Sequence, residues 1–383
     1  MDKLKPDWDP RAPEVLENQI AAYDRMRKTC PVAYSDFLHW SIFRHADIMR
    51  IITDHETFSS NVSSRVSVPN SMDPPRHTPY RQLIEPYFSP DAMAAFEPVC
   101  HTLAANLTSA LPRNAAVEVI ENYAMKYALQ VQCAFLGWAP ALQDALRHWM
   151  KRNHEATLAQ DRSAMADVAA EFAGYINQLL EARRSAGDAA PHDVITSLMR
   201  SEVNGAPLRE EEIVSIIRNW TGGEIGTISA SVGTFVQFLA DNPELQSDLR
   251  KHPHKLPEAI EEILRIHGPL VTNRRRTTRP VTIGGRNIPA GELLTIFWVS
   301  ANRDEEVFEN PDTFQWGRDH SKNLLYGAGI HWCPGAPLAR MELRILMEEL
   351  LAQTQSIAPA QGHHPARAIY PASGYSQLHV TFR

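Results

Sequence analysis

From His77 to Leu249 the chain carries helical hydrophobic patterns almost without a break. A run of that length cannot stay extended in water, so its amphipathic stripes must fold back on one another around a shared core. Such a core is affordable: 44% of the 383 residues are hydrophobic. The flanks read differently. Pro13 to Lys28 carries Val15, Leu16, Ile20, Ala21 and Tyr23 on a helical stripe. Val32-Ala33-Tyr34 and Trp40-Ser41-Ile42-Phe43 predict a short hairpin, with a helix over Ala46 to Thr53. Ser59 to Ser71 has no helical period and predicts a long loop of the kind that is mobile or functional. Arg279 to Gly291 predicts a second hairpin around Gly284-Gly285, Asn302 to Ala328 is irregular, and Ile369 to Arg383 alternates like two short strands. The expected class is mainly α with a small β portion (α+β), a helix-rich lobe and a smaller β-containing lobe, residues 1–383 forming one unit.

Charge and composition exclude several functions. With 38 basic and 45 acidic residues and a net charge of −7, no basic surface for nucleic acid is expected. No apolar run approaches the roughly 20 residues of a membrane span. The start, Met1 to Trp8, is too polar for a signal peptide, so a cytoplasmic protein is expected. The four cysteines form no CxxC pair. Cys30, Cys100 and Cys133 sit in helical or helix-end contexts and read as small packing residues.

Cys333 has a different context, Tyr326-Gly327-Ala328-Gly329-Ile330-His331-Trp332-Cys333-Pro334-Gly335-Ala336-Pro337-Leu338-Ala339-Arg340. Two glycines precede the thiol and permit a tight loop. Pro334 and Pro337 suit the first turn of a helix that continues through Gln353. A sulfur at a helix N-terminus is favoured as thiolate, which serves either to attack an electrophile or to ligate a soft metal.

The segment resembles the haem-ligand loop of the cytochrome P450 family, Phe-Gly-x-Gly-x-His-x-Cys-x-Gly followed by Leu-Ala-Arg. Gly327, Gly329, His331, Cys333, Gly335, Leu338, Ala339 and Arg340 match, and Tyr326 stands in for Phe. The resemblance implies that Cys333 is the axial thiolate of haem b (iron protoporphyrin IX), a ligand that favours O–O cleavage. It further implies that the haem propionates are met by His77 and Arg81, by His331 and by Arg275 within the run Arg274-Arg275-Arg276. Glu262 and Arg265 match the family's Glu-x-x-Arg, closed by Arg318 in a structural role.

The predicted helix from Arg209 to Ala240 contains Gly222, Gly223 and Gly226, each costing about 1 kcal/mol against alanine. Packing against a flat ligand, local opening of the helix, or tight helix–helix packing each explains the cluster. By the resemblance, Thr227 is the alcohol that helps deliver protons to oxygen. The acid that usually precedes it is replaced by Gly226, and Glu224, three residues before Thr227, is the candidate substitute. A purely structural Glu224 is the competing view.

The likeness extends over the whole chain and to the soluble bacterial branch. Asn219-Trp220 and Gly222 to Ser231 are also similar to haem modules fused to a reductase, so the chain reads as a free-standing relative or as a module of such a fusion. The implied activity is monooxygenation, one atom of O2 entering a small-to-medium, largely apolar substrate, with electrons from a ferredoxin or flavoprotein reductase. Arg340 and Arg344 read either as a docking face for that donor or as solvated charges. Substrate contacts are expected from Val62, Val66, Val68, Ile216, Leu270, Val271 and Tyr375. Gly226 keeps open a peroxide-driven peroxygenase; a non-catalytic haem sensor is the third reading.

Overall fold

A computed structural model gives the fold and describes residues 4–63 and 67–383. Its centre is one helix of 32 residues, α6 (Glu210–Asp241), most of which is buried on several sides. Around it lie α3 (Met125–Leu136), α7 (Leu256–His267) and α8 (Ala336–Gln353), with α2 (Pro90–Ser109) running along α8. A pair, α4 (Gln143–Ala159) and α5 (Arg162–Ala186), covers another side of α6. The short α1 (His77–Ile84) precedes α2. These helices share one apolar core, as the long helical pattern predicts.

Helix limits follow local chemistry. Ser89 caps α2 by accepting from the Ala92 N–H, with Pro90 at the first helical position. Asp161 caps α5 through the N–H groups of Ser163 and Ala164 at 2.9 and 3.0 Å. Asn242 and Pro243 end α6 and start the next helix. The stripe over Pro13 to Lys28 is two helices, Pro13–Glu17 and Gln19–Thr29. The break is Asn18, whose side chain accepts from the Ala21 N–H (3.2 Å) and so caps the second helix.

The smaller lobe holds a five-stranded sheet of β1 (Val32–Ser35), β2 (His39–Ile42), β3 (Phe58–Ser59), β4 (Thr272–Thr277) and β5 (Leu293–Phe297), in the order β1-β2-β5-β4-β3. β5 runs parallel to β2 and antiparallel to β4, pairing Leu294 with Arg275. An aromatic cluster of Tyr23, Phe43 and Phe297 packs beside it, Phe43 and Phe297 stacked at 4.6 Å. The Gly284-Gly285 turn has both residues at positive φ (+53° and +77°), the conformation a two-residue hairpin needs. Asn302 to Ala328 forms turns without strands or long helices, and Tyr375–Gln377 and His379–Phe382 are the two expected short strands. Among the described residues no helix is long and apolar enough to cross a membrane.

Candidate active site

The thiol loop is set by backbone bonds between Leu324 and α8. Gly327 N–H donates to the Leu324 carbonyl (3.0 Å), and Cys333 N–H returns to the Tyr326 carbonyl (2.9 Å). Gly329 has φ +69°, and a Cβ there would lie 2.8 Å from the Ile52 carbonyl oxygen, so only glycine fits. α8 starts at Ala336, with Pro337 in its first turn. Burial pushes the Cys333 thiol above its usual range. The Gly335 N–H, the Arg81 charge, the Ala336 N–H and the Arg340 charge all pull it down, in that order of size. The helix terminus thus favours thiolate as expected, but desolvation outweighs it and the two arginine charges combined. Tyr326 lies under the Arg340 guanidinium (4.4 Å from ring centroid), and Arg340 pairs with Glu261 at 2.6 Å.

Beside this loop the fold gathers basic side chains from three segments. His77 (α1) and His331 have ring centroids 4.5 Å apart, and the Nε2 of each is buried with no partner. Arg275 projects inward from β4 and is 7% exposed, while Arg276 turns to the carbonyls of Gly291 and Val62. The guanidinium of Arg275 donates to the Arg274 carbonyl (2.8 Å). Burial depresses all three: Arg275 to about 10, His331 to about 3, with neighbouring positive charge adding to the effect on the histidines. The nearby carboxylate, Asp73, is already held by Ser59 Oγ (2.5 Å) and the Ser60 N–H (2.9 Å). Buried donors without an anionic partner, gathered beside the thiol loop, fit a ligand that brings its own anions, as haem propionates do. Arg81 instead bonds Glu85 (2.9 Å) and the Trp332 carbonyl (2.6 Å), tying α1 to the cysteine loop.

α6 runs through its glycines as a continuous helix, so the local opening considered for it is not seen. The three glycines have different surroundings. A Cβ on Gly226 would lie 3.3 Å from the end of the Met150 side chain of α4, a tight approach, whereas one on Gly222 would make only ordinary contact with Trp149 at 3.8 Å. Gly223 is exposed, and a Cβ there would meet nothing within 4 Å. One turn on, Thr227 Oγ1 donates to the Gly223 carbonyl (2.6 Å). Glu224 turns toward α3, where its Oε2 faces the Gln132 amide, and its pKa lies well above the carboxylate range because it is buried and near Glu342. Glu342 itself escaped the sequence reading; a carboxylate inside the apolar stripe of α8 was the available signal.

The expected substrate contacts differ in burial. Val62 is half-buried, with its N–H on the Ser60 carbonyl. Val68 is fully buried, held by its N–H to Ser215 Oγ (2.8 Å) and by Asn219 Nδ2 to its carbonyl (2.9 Å). Ile216 and Val271 are also core residues, whereas Leu270 is exposed. Tyr375 is half-buried under Arg367 (5.1 Å), and the adjacent Gly374 packs on Ala230 of α6. Val66 lies outside the described residues. Cys100 and Cys133 are buried free thiols raised by burial, Cys133 to about 12. The Glu262 group is fully buried: Arg265 Nε and Nη2 bond its two oxygens at 2.8 and 2.9 Å, and Arg318 Nε bonds Oε1 at 2.7 Å. Arg265 also reaches the carbonyls of Asn302 (2.6 Å) and Pro311 (2.8 Å), which anchors the irregular segment ahead of the thiol loop.

Comparison with known proteins agrees with this geometry. The family profile Cytochrome P450 matches residues 149–365. The chain is 32% identical over 327 residues to the cyclomarin C epoxidase CymV of Salinispora arenicola, spanning 81% of this chain and 82% of that protein. It is 30% identical over 363 residues to the vitamin D(3) 25-hydroxylase of Pseudonocardia autotrophica, at 90% and 89% coverage. The ligand-free structure of cytochrome P450 TbtJ1 superposes over 100% of both chains with a TM-score of 0.86 and 29% identity. The thiol loop, the match to the profile and the shared fold together place this chain in the cytochrome P450 family, as a haem-thiolate monooxygenase.

Proposed function

We propose that residues 1–383 act as one haem b unit that inserts an atom of O2 into a small-to-medium, largely apolar organic substrate. Electrons come from a separate ferredoxin or flavoprotein in the cytoplasm. The observation that carries the reading is the set of buried donors at His77, His331 and Arg275, lacking an anion, beside a loop that holds Cys333 at a helix start. Haem, when bound, supplies the oxygen activation. Cys333 would hold its iron and the basic trio, with Arg81, its propionates; Tyr326 and Gly335 shape the loop around the sulfur, Gly335 by its N–H.

Gly223 leaves open space beside α6 that would admit the cofactor, since no atom lies within 4 Å of a Cβ placed there. Thr227 gives its proton to the Gly223 carbonyl and so keeps oxygen lone pairs available to accept another. Glu224, three residues earlier on the same helix and with its carboxyl held well above the usual range by burial, is the acid assigned to supply it. A side chain at position 226 would press on the end of the Met150 side chain, which lies 3.3 Å from a Cβ there.

The names of the epoxidase and hydroxylase relatives support oxygen insertion into carbon frameworks. Turnover in isotopically labelled dioxygen with a ferredoxin system tests the reading: one labelled atom in the product is expected. Label absent from the product, with turnover on peroxide alone, would overturn it in favour of the peroxygenase that Gly226 suggests.

A further inference from the structure

Val68 is 0% exposed and its side chain packs into the helical core, yet it belongs to no helix or strand. A buried backbone N–H and C=O outside regular structure must find partners elsewhere, because an unpaired one costs about a whole hydrogen bond. Both find them on α6. The Val68 N–H donates to Ser215 Oγ (2.8 Å), and its carbonyl accepts from Asn219 Nδ2 (2.9 Å). Asn219 Oδ1 in turn accepts from Ser67 Oγ (3.2 Å), so both ends of the amide are engaged. Ser215 and Asn219 stand four residues apart and share a helix face. Two side chains thus do for Val68 what a neighbouring strand does for a ladder residue. The chain after it turns back on itself: the N–H and Oγ of Ser71 both donate to the Ser67 carbonyl (2.8 and 3.1 Å), and Met72 N–H donates to the Pro69 carbonyl (2.9 Å). Gly223 and Thr227 follow Asn219 at the same four-residue spacing on α6, joined by the bond from Thr227 Oγ1 to the Gly223 carbonyl. The clamp on Val68 therefore stands one helical turn, about 6 Å along the axis, from the open space beside Gly223.

We propose that Asn219 is a positioning residue: through its bonds to Ser67 and Val68 it fixes these two residues as a wall of the space beside Gly223. Its position sets which sizes of substrate that space holds tightly. This rests on the haem reading above. A compound too short to reach the wall is indifferent to the clamp. A longer one touches a wall already held in place, and binds without the entropic cost of ordering it. Val68, expected from the sequence to touch substrate, serves instead as the anchor, since its side chain is turned into the core.

Asn219→Leu, which keeps the size of the side chain and removes both of its hydrogen bonds, tests the proposal in the holoenzyme. Hydrogen exchange at the Val68 amide should speed up about 5- to 100-fold, the range for two ordinary hydrogen bonds. Imidazole and the longer phenylimidazole then serve as probes, titrated by the absorption shift of the haem. In Asn219→Leu the dissociation constant of phenylimidazole should rise about tenfold, the worth of one such bond, while that of imidazole stays as in the wild type. Equal weakening of both probes, as general loosening of the fold would give, overturns the proposal, as does wild-type exchange at Val68 in the variant. A wild-type Val68 amide that exchanges at the rate of an unfolded chain also overturns it, and that result requires no variant to fold. A normal imidazole shift beside unchanged phenylimidazole binding removes only this proposal; a wild type without any imidazole shift removes the haem reading itself.

Discussion

Glu262→Gln tests how the fold holds its thiol loop. Glu262 is the anion between two buried guanidinium groups, Arg265 with a side chain 0% exposed and Arg318 at 6%. It accepts from Arg265 at 2.8 and 2.9 Å, from Arg318 at 2.7 Å and from the Gln315 N–H at 3.3 Å. Glutamine keeps the shape but removes the charge and points an amide donor at cations. Breaking a buried pair while its partner remains costs about 3–5 kcal/mol. Unfolding entropy of about 2.1 cal/mol/K per residue over 383 residues gives about 0.8 kcal/mol/K, so Tm should fall by about 4–6 °C. Because Arg265 and Arg318 also hold the carbonyls of Asn302, Pro311 and Glu309, the loss should reach Cys333 and lower retained haem. Calorimetry with haem content per chain reads both. A variant within 1 °C of wild type, on this scale about 0.8 kcal/mol or less, with full haem content would refute the reasoning.

Arg275→Gln should leave the haem-free protein as stable or more stable, because it removes a desolvated cation, yet weaken haem retention about 10- to 100-fold, the worth of one charged hydrogen bond. Haem transfer to an apo-globin measures it, and unchanged transfer would count against a propionate role. Gly223→Ala should stabilise the haem-free protein by about 1 kcal/mol through helix propensity and weaken ligand binding by filling the open space; denaturant melts and binding titrations decide, and unaltered binding contradicts it. The haem-free protein should lose stability in acid. His331 titrates near 3 when folded but near the ordinary histidine value of about 6.5 when unfolded, so the unfolded chain gains protons first as pH falls between those values. The Tm–pH curve of His331→Gln should be flatter there, and parallel curves would contradict the assignment.

The long helical stripe, the Gly284-Gly285 hairpin and the proline-started helix after Cys333 were legible because each rests on local backbone chemistry. What was missed depends on distant partners. Residues 13–28 carry an unbroken apolar stripe, but Asn18 caps within it. Val68, Ile216 and Val271 read as apolar residues in the sequence, and the structure adds that all three are buried. The thiol at the helix start reads as a thiolate from sequence because dipole and N–H groups are local, whereas the burial that opposes them is contributed by the rest of the fold. Glu342 is one acid in a helix until the packing of α8 buries it completely. The inward turn of Arg275, set by strand alternation in β4, is the case where a two-residue period resolved an ambiguous run of three arginines.

The absorption spectrum of the reduced, carbon-monoxide-bound protein tests the central claim most directly. A strongly red-shifted Soret band, lost in Cys333→Ala, is the predicted result. A Soret band at the position of ordinary histidine-ligated haem, or one unchanged in Cys333→Ala, would contradict thiolate ligation by Cys333.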